Sequence, residues 1–327
     1  MNEGAEDMSQ QRLQDKKIAV AGIGGVGGYL AGMLGRVWPD LTLIARGKRL
    51  ETLRGKGLVL HSDYKGEIAV KTGNVMPADE MGEQDVIFVC VKNYSLEQVC
   101  EEIKDSVTEN TIIVPVMNGV DPGERIRRIL DKGTVVDSLI YIVSFIGEDG
   151  SVIQQGDFAS LRIGIQNPDE KGRKAVQAVS EILSLADIDH KVSSDIQAEI
   201  WKKYILNCAY NVETAFYDRT IGQLREDPVT AAQYEALVQE AGQVAKAKGV
   251  AITQEHLDAI LYRFYHELAD GATSSLQRDI RAGKPAEIET FSGYIVHEGK
   301  KLGVDLPVSS KMYEGLKKAG KDRTENE

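Results

Sequence analysis

Short, nearly unbroken apolar runs alternate with amphipathic stretches through the first half of the chain. "KKIAVAG" (16–22), "LTLIAR" (41–46), "DVIFVCVK" (85–92) and "TIIVPVMNG" (111–119) carry no polar face. Runs of this kind read as strands buried on both sides. Between them, "GYLAGMLGRV" (28–37) and "SLEQVCEEIKDSV" (95–107) place apolar residues at helical spacing, and a shorter strand pair falls at about 58–72. Strand and helix in alternation predict an α/β fold, a parallel sheet covered by helices on both faces. From about 134 to 165 the strands "TVVDSLIYIVSFI", "SVIQQG" and "SLRIGI" follow one another, with "EDG" as a turn, which predicts an antiparallel extension of the sheet. The loop "NPDEKG" (167–172), one helix and the short strand "DHKVSS" (189–194) complete this half.

From Asp195 onward the pattern is helical. Periodicity predicts helices over 195–217, 228–248, 253–270, 274–282, 287–302 and 309–319, punctuated by Gly249, Gly271, Gly283 with Pro285, and Gly303. Three segments follow: a mobile tail over 1–15, a sheet domain over 16–193, and an all-helical domain over 194–322.

The chain has 327 residues and a net charge of −11, which argues against a nucleic-acid or membrane-surface role. No apolar run is long enough to cross a bilayer, and the N-terminus lacks the apolar centre of a signal peptide. Cys90, Cys100 and Cys208 have neither metal nor redox spacing. The sequence therefore calls for no metal and fits a reducing cytoplasm.

The first strand runs into Gly22-x-Gly24-Gly25-x-Gly27 and then a helix. A glycine loop in that context is a dinucleotide-binding turn of the Rossmann type. Gly22 permits the tight turn, Gly24 lets the backbone approach a pyrophosphate, Gly27 lets the helix pack on the strand, and the helix N-terminus supplies N–H donors. An NAD enzyme usually ends the second strand with an acidic ribose ligand. Here Arg46 stands there, followed by Lys48 and Arg49. A guanidinium suits a 2′-phosphate, so the expected cofactor is NADP(H). The bland alternative is a solvated basic loop.

"EIWKKYILNCAYN" (199–211) has the apolar density of a core helix, yet Lys203, Asn207 and Asn211 recur every four residues on one face. Lys203 could donate a proton from an apolar edge, and the two amides could hold a small polar substrate. Equally, Glu199 and Lys203 could be a surface i,i+4 pair and the amides could serve helix contacts. Tyr204 and Tyr210, the other donors on this helix, are each one residue from Lys203 or Asn211 and so about 100° away from that neighbour.

Three separated stretches resemble the ketopantoate reductase (2-dehydropantoate 2-reductase) family: "WKKYILNCAYNVETA", "SSLQRDIRAGKPAEIE" and "VMNG". With the glycine loop, the resemblance spans Lys17 to about Lys318. It implies that Lys203 gives a proton to the substrate's keto oxygen as hydride reaches the same carbonyl carbon. It implies that Asn207 and Asn211 hold the hydroxyl end, Ser275 the carboxylate, and that Glu287 contacts the cofactor and helps position Lys203. Asn118 would bridge cofactor and substrate, and Lys92 would lie along the cofactor beside Arg46. The implied reaction is NADPH-dependent reduction of ketopantoate to pantoate, in pantothenate and coenzyme A synthesis. A homodimer through the helical domain is compatible with it. Val212-Glu213 replaces a frequent Pro-Leu of the family, Arg278 a frequent Gln, and Ala286 a frequent Thr; all sit next to the proposed substrate residues. A paralogous 2-keto acid reductase and a non-catalytic NADP-binding regulator are the other readings.

Overall fold

The expected apolar runs form strands with no exposed position: Ile18–Ala21 (β1) and Val86–Val89 (β6) are buried throughout and pair in parallel. In the computed structural model, residues 13–71 and 73–324 are described, and the chain divides into two compact units, one ending at Ile196 and one beginning at Gln197. The first unit runs β1, α1 (Gly25–Leu34), β2 (Thr42–Ile44), α2 (Gly47–Lys56), β3 (Leu58–Ser62), β4 (Gly66–Val70), β5 (Asn74–Met76), β6, α3 (Leu96–Ile103), β7 (Ile112–Pro115), α4 (Pro122–Ile129) and β8 (Thr134–Val135). It continues with β9 (Asp137–Ile146), β10 (Val152–Gly164), α5 (Glu170–Leu185) and β11 (Asp189–Val192).

One sheet is parallel throughout, in the order β5–β2–β1–β6–β7–β8. The strands expected to extend it beyond β8 build a second, mixed sheet instead, β11–β10–β3–β4, in which β10 is parallel to β3 and β11 while β9 is antiparallel to β10 and β4 to β3. The difference has a non-local cause: β10 pairs with β3, about ninety residues earlier in the chain (Val152 opposite Leu60), a partner invisible to local periodicity.

Helix α1 lies against both sheets because one stripe of it has no side chains. A Cβ on Gly25 would strike the Ser144 carbonyl of β9, one on Gly28 the Val152 side chain of β10, and one on Gly32 would come within 2.9 Å of Leu60 in β3. Residues 25, 28 and 32 share a helical face, so the stripe lets the helix backbone approach the second sheet.

The expected tail, 1–15, lies outside the described residues as far as residue 12. Its end is corrected: Leu13 is buried, and its carbonyl accepts a hydrogen bond from the Trp38 indole at 3.1 Å.

The second unit is helical: α6 (Ile196–Tyr217), α7 (Ile221–Glu226), α8 (Pro228–Ala247), α9 (Gln254–His266), α10 (Ser275–Arg281), a π turn (Glu289–Gly293), α11 (Tyr294–Leu302) and α12 (Pro307–Thr324). The short α7, absent from the sequence reading, is fixed by a capping box between Thr220 and Gln223. Glu240 of α8, though buried, accepts from the Val308 and Ser309 amides at 2.9 and 2.8 Å and so caps α12. Among the described residues no helix is long and apolar enough to cross a membrane.

Val212 and Glu213, read above as neighbours of the substrate residues, point into this core. Neither Glu213 carboxylate oxygen has a hydrogen-bond partner, and the Tyr234 hydroxyl is also buried without one. Burial, reinforced by the negative charge of Asp227, pushes the Glu213 carboxyl up to about 9. Its folded value therefore lies above its unfolded one. Its cost is absent below the unfolded value, grows as pH climbs from about 4.5, and levels off above about 9. Glu213→Leu should raise Tm at pH 8 by several degrees, with the gain shrinking toward pH 5, in thermal melts across that range. A pH-independent gain would show that Glu213 is not ionising at a cost.

Candidate functional site

In the first unit the expected cofactor residues gather at the carboxyl ends of parallel strands, where open α/β sheets take their ligands. Gly22 has φ of +93°, and a Cβ there would come within 2.6 Å of Val91. A Cβ on Gly27 would strike the Gly22 carbonyl, whereas nothing lies within 4 Å of one on Gly24. The turn is thus closed on the protein side and open at Gly24, the position assigned to the pyrophosphate. Gly24 caps α1 and Gly25 starts it, so the first-turn amides face that opening. These features fit a dinucleotide.

Arg46 stands two residues after β2, as the N-cap of α2. Its fork donates to Gln98 Oε1 at 3.0 Å and to Ser95 Oγ at 3.1 Å, and the side chain is exposed. Arg49, grouped with it in the basic loop, faces the other way. It donates to the Ile23 carbonyl of the glycine loop at 2.8 Å and to Gly150 at 2.5 Å, and burial pulls its pKa down. It braces the loop. Lys92 follows β6 and is half-buried; Asn118 follows β7, with Gly119 at φ +101° turning the chain.

In the second unit α6 presents the lysine–asparagine row. Its buried side is anchored by Trp201, Tyr204 and Tyr294, whose rings meet edge to face or tilted at 5.7–6.3 Å. The Tyr204 hydroxyl donates to Thr290 inside the π turn. Lys203 is half-buried, and the alternative surface pairing falls to its neighbour: Glu199 bonds Lys202 at 3.1 Å. Burial pushes the Lys203 ammonium down to about 8, and the Glu287 carboxylate partly opposes that shift. Glu287 is itself only 6% exposed, and its carbonyl accepts from Phe291 as the chain enters the π turn.

Asn211 is buried and already engaged. Its Oδ1 accepts from the Ser275 hydroxyl at 3.2 Å and from the Leu276 amide at 3.4 Å, tying α10 to α6. Thr214 extends the tie to Ser274 at 2.8 Å. The Asn207 side chain is half-buried and hydrogen-bonds no described residue, which leaves its amide available. Lys203 and Glu287 are therefore brought together, as are Asn211 and Ser275.

Tyr210 needs a correction. It is 100° from Asn211 but seven residues from Lys203, hence only about 20° off the lysine's own line. Its hydroxyl donates to the Thr273 carbonyl at 3.1 Å. Arg278 donates to the same carbonyl at 2.7 Å, so its guanidinium shares a wall with Tyr210 and Ser275. Ser95 and Gln98 received no role from the sequence, Arg49 was read only as part of a basic loop, and Thr214 only as part of a motif. They are ordinary surface or core types, and only their distant partners mark them.

Models of two segments match the chain: "Ketopantoate reductase PanE/ApbA" over residues 18–168 and "Ketopantoate reductase PanE/ApbA C terminal" over 195–319. The uncharacterized oxidoreductase YkpB of Bacillus subtilis is 29% identical over 304 residues, covering 92% of this chain and 97% of that one. A 2-dehydropantoate 2-reductase of Pyrococcus horikoshii is 26% identical over 294 residues, covering 90% and 94%. The crystal structure of a PanE/ApbA family ketopantoate reductase from Ralstonia eutropha superposes with a TM-score of 0.85 at 25% identity, covering 94% and 99%. With the glycine loop and the helical signature in place, the chain belongs to the ketopantoate reductase family of dinucleotide-binding oxidoreductases.

Proposed function

We propose that this oxidoreductase reduces ketopantoate to pantoate with NADPH and that Lys203 is the proton donor. The observation that carries the reading is a half-buried lysine, held at about 8 beside the carboxylate of Glu287. Bound, the reduced nicotinamide supplies the hydride. Negative charge then builds on the carbonyl oxygen, and a donor whose pKa lies near the working pH neutralises it most effectively. Asn207 orients the substrate's hydroxyl end, Ser275 takes its carboxylate, and Asn211 holds Ser275 in place. Glu287 keeps Lys203 protonated near neutrality. Gly22, Gly24, Gly25, Gly27, Lys92 and Asn118 receive the cofactor, and Arg46 reads its 2′-phosphate.

A second reading has a specific support. Arg278 stands on the same wall as Ser275 and Tyr210, and no described carboxylate pairs with it. A fixed cation there favours a 2-keto acid with a second acidic group over the hydroxyl-ended ketopantoate. NADPH oxidation against ketopantoate, branched 2-keto acids and 2-keto dicarboxylic acids separates the two. Under the second reading, the dicarboxylic acids lead and Arg278→Gln reduces their kcat/KM roughly tenfold, a charge-assisted hydrogen bond lost. A wild-type lead for ketopantoate with no effect of Arg278→Gln returns the assignment to the first.

The proton donor is read from pH. Above about pH 8 kcat/KM should fall tenfold per unit as Lys203 loses its proton. Because Glu287 raises that value, Glu287→Gln should move the falling limb to lower pH. Lys203→Ala should lower kcat by about 10²–10⁴ while NADPH still binds. A limb that stays put in Glu287→Gln, or near-normal turnover in Lys203→Ala, removes the lysine from this role.

Cofactor choice is read by titration. Arg46→Ala removes a charge-assisted contact of about 1.5–3 kcal/mol, so NADPH binding should weaken roughly ten- to hundredfold while NADH is nearly unaffected. Equal losses for both cofactors would show that Arg46 does not touch the 2′-phosphate.

A further inference from the structure

Two loops, β6–α3 and β7–α4, carry Lys92 and Asn118. Between them lies a chain of polar side chains that the reaction scheme above does not use. Asn93 is buried at 4% exposure, at the start of a 3₁₀ turn (Asn93–Ser95). Its Nδ2 donates to the Asn118 carbonyl at 2.9 Å. Its Oδ1 accepts from Arg125 Nη1 at 3.0 Å, and its backbone carbonyl accepts from Arg125 Nη2 at 2.8 Å. Arg125, on α4, is gripped in turn by Glu97 of α3: Nε and Nη2 donate to the two carboxylate oxygens, both at 2.8 Å. This bidentate pairing holds the Glu97 carboxyl below its usual range.

The order of these groups fixes which way the Asn93 amide points. A guanidinium only donates, so the atom facing Arg125 must be the amide oxygen. The amide nitrogen is left facing the Asn118 carbonyl, which can only accept. Arg125 thus sets the Asn93 rotamer, and Asn93 sets the position of the Asn118 peptide just before the left-handed turn at Gly119. The same 3₁₀ turn ends in Ser95, which accepts from Arg46.

We propose that Asn93 and Arg125 are positioning residues for the dinucleotide site: they hold the Asn118–Gly119 turn at the place where Asn118 meets cofactor and substrate. The proposal rests on the cofactor reading above for the role of Asn118. The clamp ends on the Asn118 peptide after β7, whereas Arg46 follows β2, at the position proposed for the 2′-phosphate. Loss of the clamp therefore weakens NADPH and NADH by the same factor, unlike loss of Arg46.

Asn93→Asp tests this with almost no change of shape. The new carboxylate keeps Arg125 as its partner, so the loops stay folded, but it sets an oxygen against the Asn118 carbonyl. Hydrogen exchange of the amides over 117–121 should speed up on the order of tenfold. The Kd values of NADPH and NADH should rise together, on the order of tenfold, and the keto-acid KM should rise with them, while Tm moves by no more than a few degrees. Arg125→Lys should push the same quantities the same way, and the double variant should be no worse than the more damaging single one, because both break one chain. Unchanged exchange over 117–121 overturns the clamp. Faster exchange with unaltered affinities and KM overturns its positioning role, and so does a loss confined to NADPH. If the wild-type protein turns over no keto acid, the functional reading fails; the exchange and the two cofactor titrations still decide the clamp.

Discussion

The approach of α1 to two sheets at once is the constraint on which the first unit depends. Ordinary side chains on a helix would hold its backbone away from a sheet. Here Gly25, Gly28 and Gly32 remove the spacer on one side, and Gly27 removes it on the other, against the Gly22 carbonyl and Cys90. The helix is wedged by backbone contact, and its N-terminus is aimed without any capping side chain. That wedge leaves the first-turn amides facing the gap beside Gly24. The aim of the α1 N-terminus and the packing of the second sheet therefore depend on one set of glycines. Arg49 adds a side-chain brace to the loop, and it does so from the buried side.

The helical unit solves a different problem. It has to place a cation and two amides in a helix whose neighbours are aromatic and aliphatic. Trp201, Tyr204 and Tyr294 secure one flank of α6, and the π turn over 289–293 meets it there through the Tyr204 hydroxyl. An extra residue in a helical turn re-aims the chain, and such turns recur at functional sites. Here it begins two residues after Glu287. The polar groups have separate fates: Asn211 is spent on α10, Lys203 is tuned by Glu287, and Asn207 is left with its amide available. Glu213, on the same helix, shows the opposite case, a carboxyl buried with no partner and held largely protonated at neutral pH.

Polar side chains thus appear in three arrangements: saturated clamps such as Glu97–Arg125–Asn93, half-open groups at the site, and buried orphans. The low dielectric of the interior makes the first rigid, the second chemically tunable and the third costly. The saturated clamp joins two adjacent strand ends, so stiffness is placed beside the position where a ligand is to be received.

The alternation of apolar runs was enough to place β1, β2, β6, β7 and the helices from α6 onward apart from the short α7, because burial on both faces or on one stripe leaves a periodic record in the chain. The glycine loop was readable for the same reason: the positive φ at Gly22 and the contact at Gly27 admit no other residue. The Lys203–Asn207–Asn211 row was legible from its spacing, and the family resemblance from quoted motifs. The second sheet was not legible, since β10 pairs with β3 across about ninety residues and nothing local marks that match. Nor were the partners of Arg49, Asn93 and Asn211, or the inward turn of Val212 and Glu213. A side chain's type is written in the sequence, but whether it meets water, a carbonyl or a methyl group depends on which distant segment packs against it. Only the tertiary structure decides that.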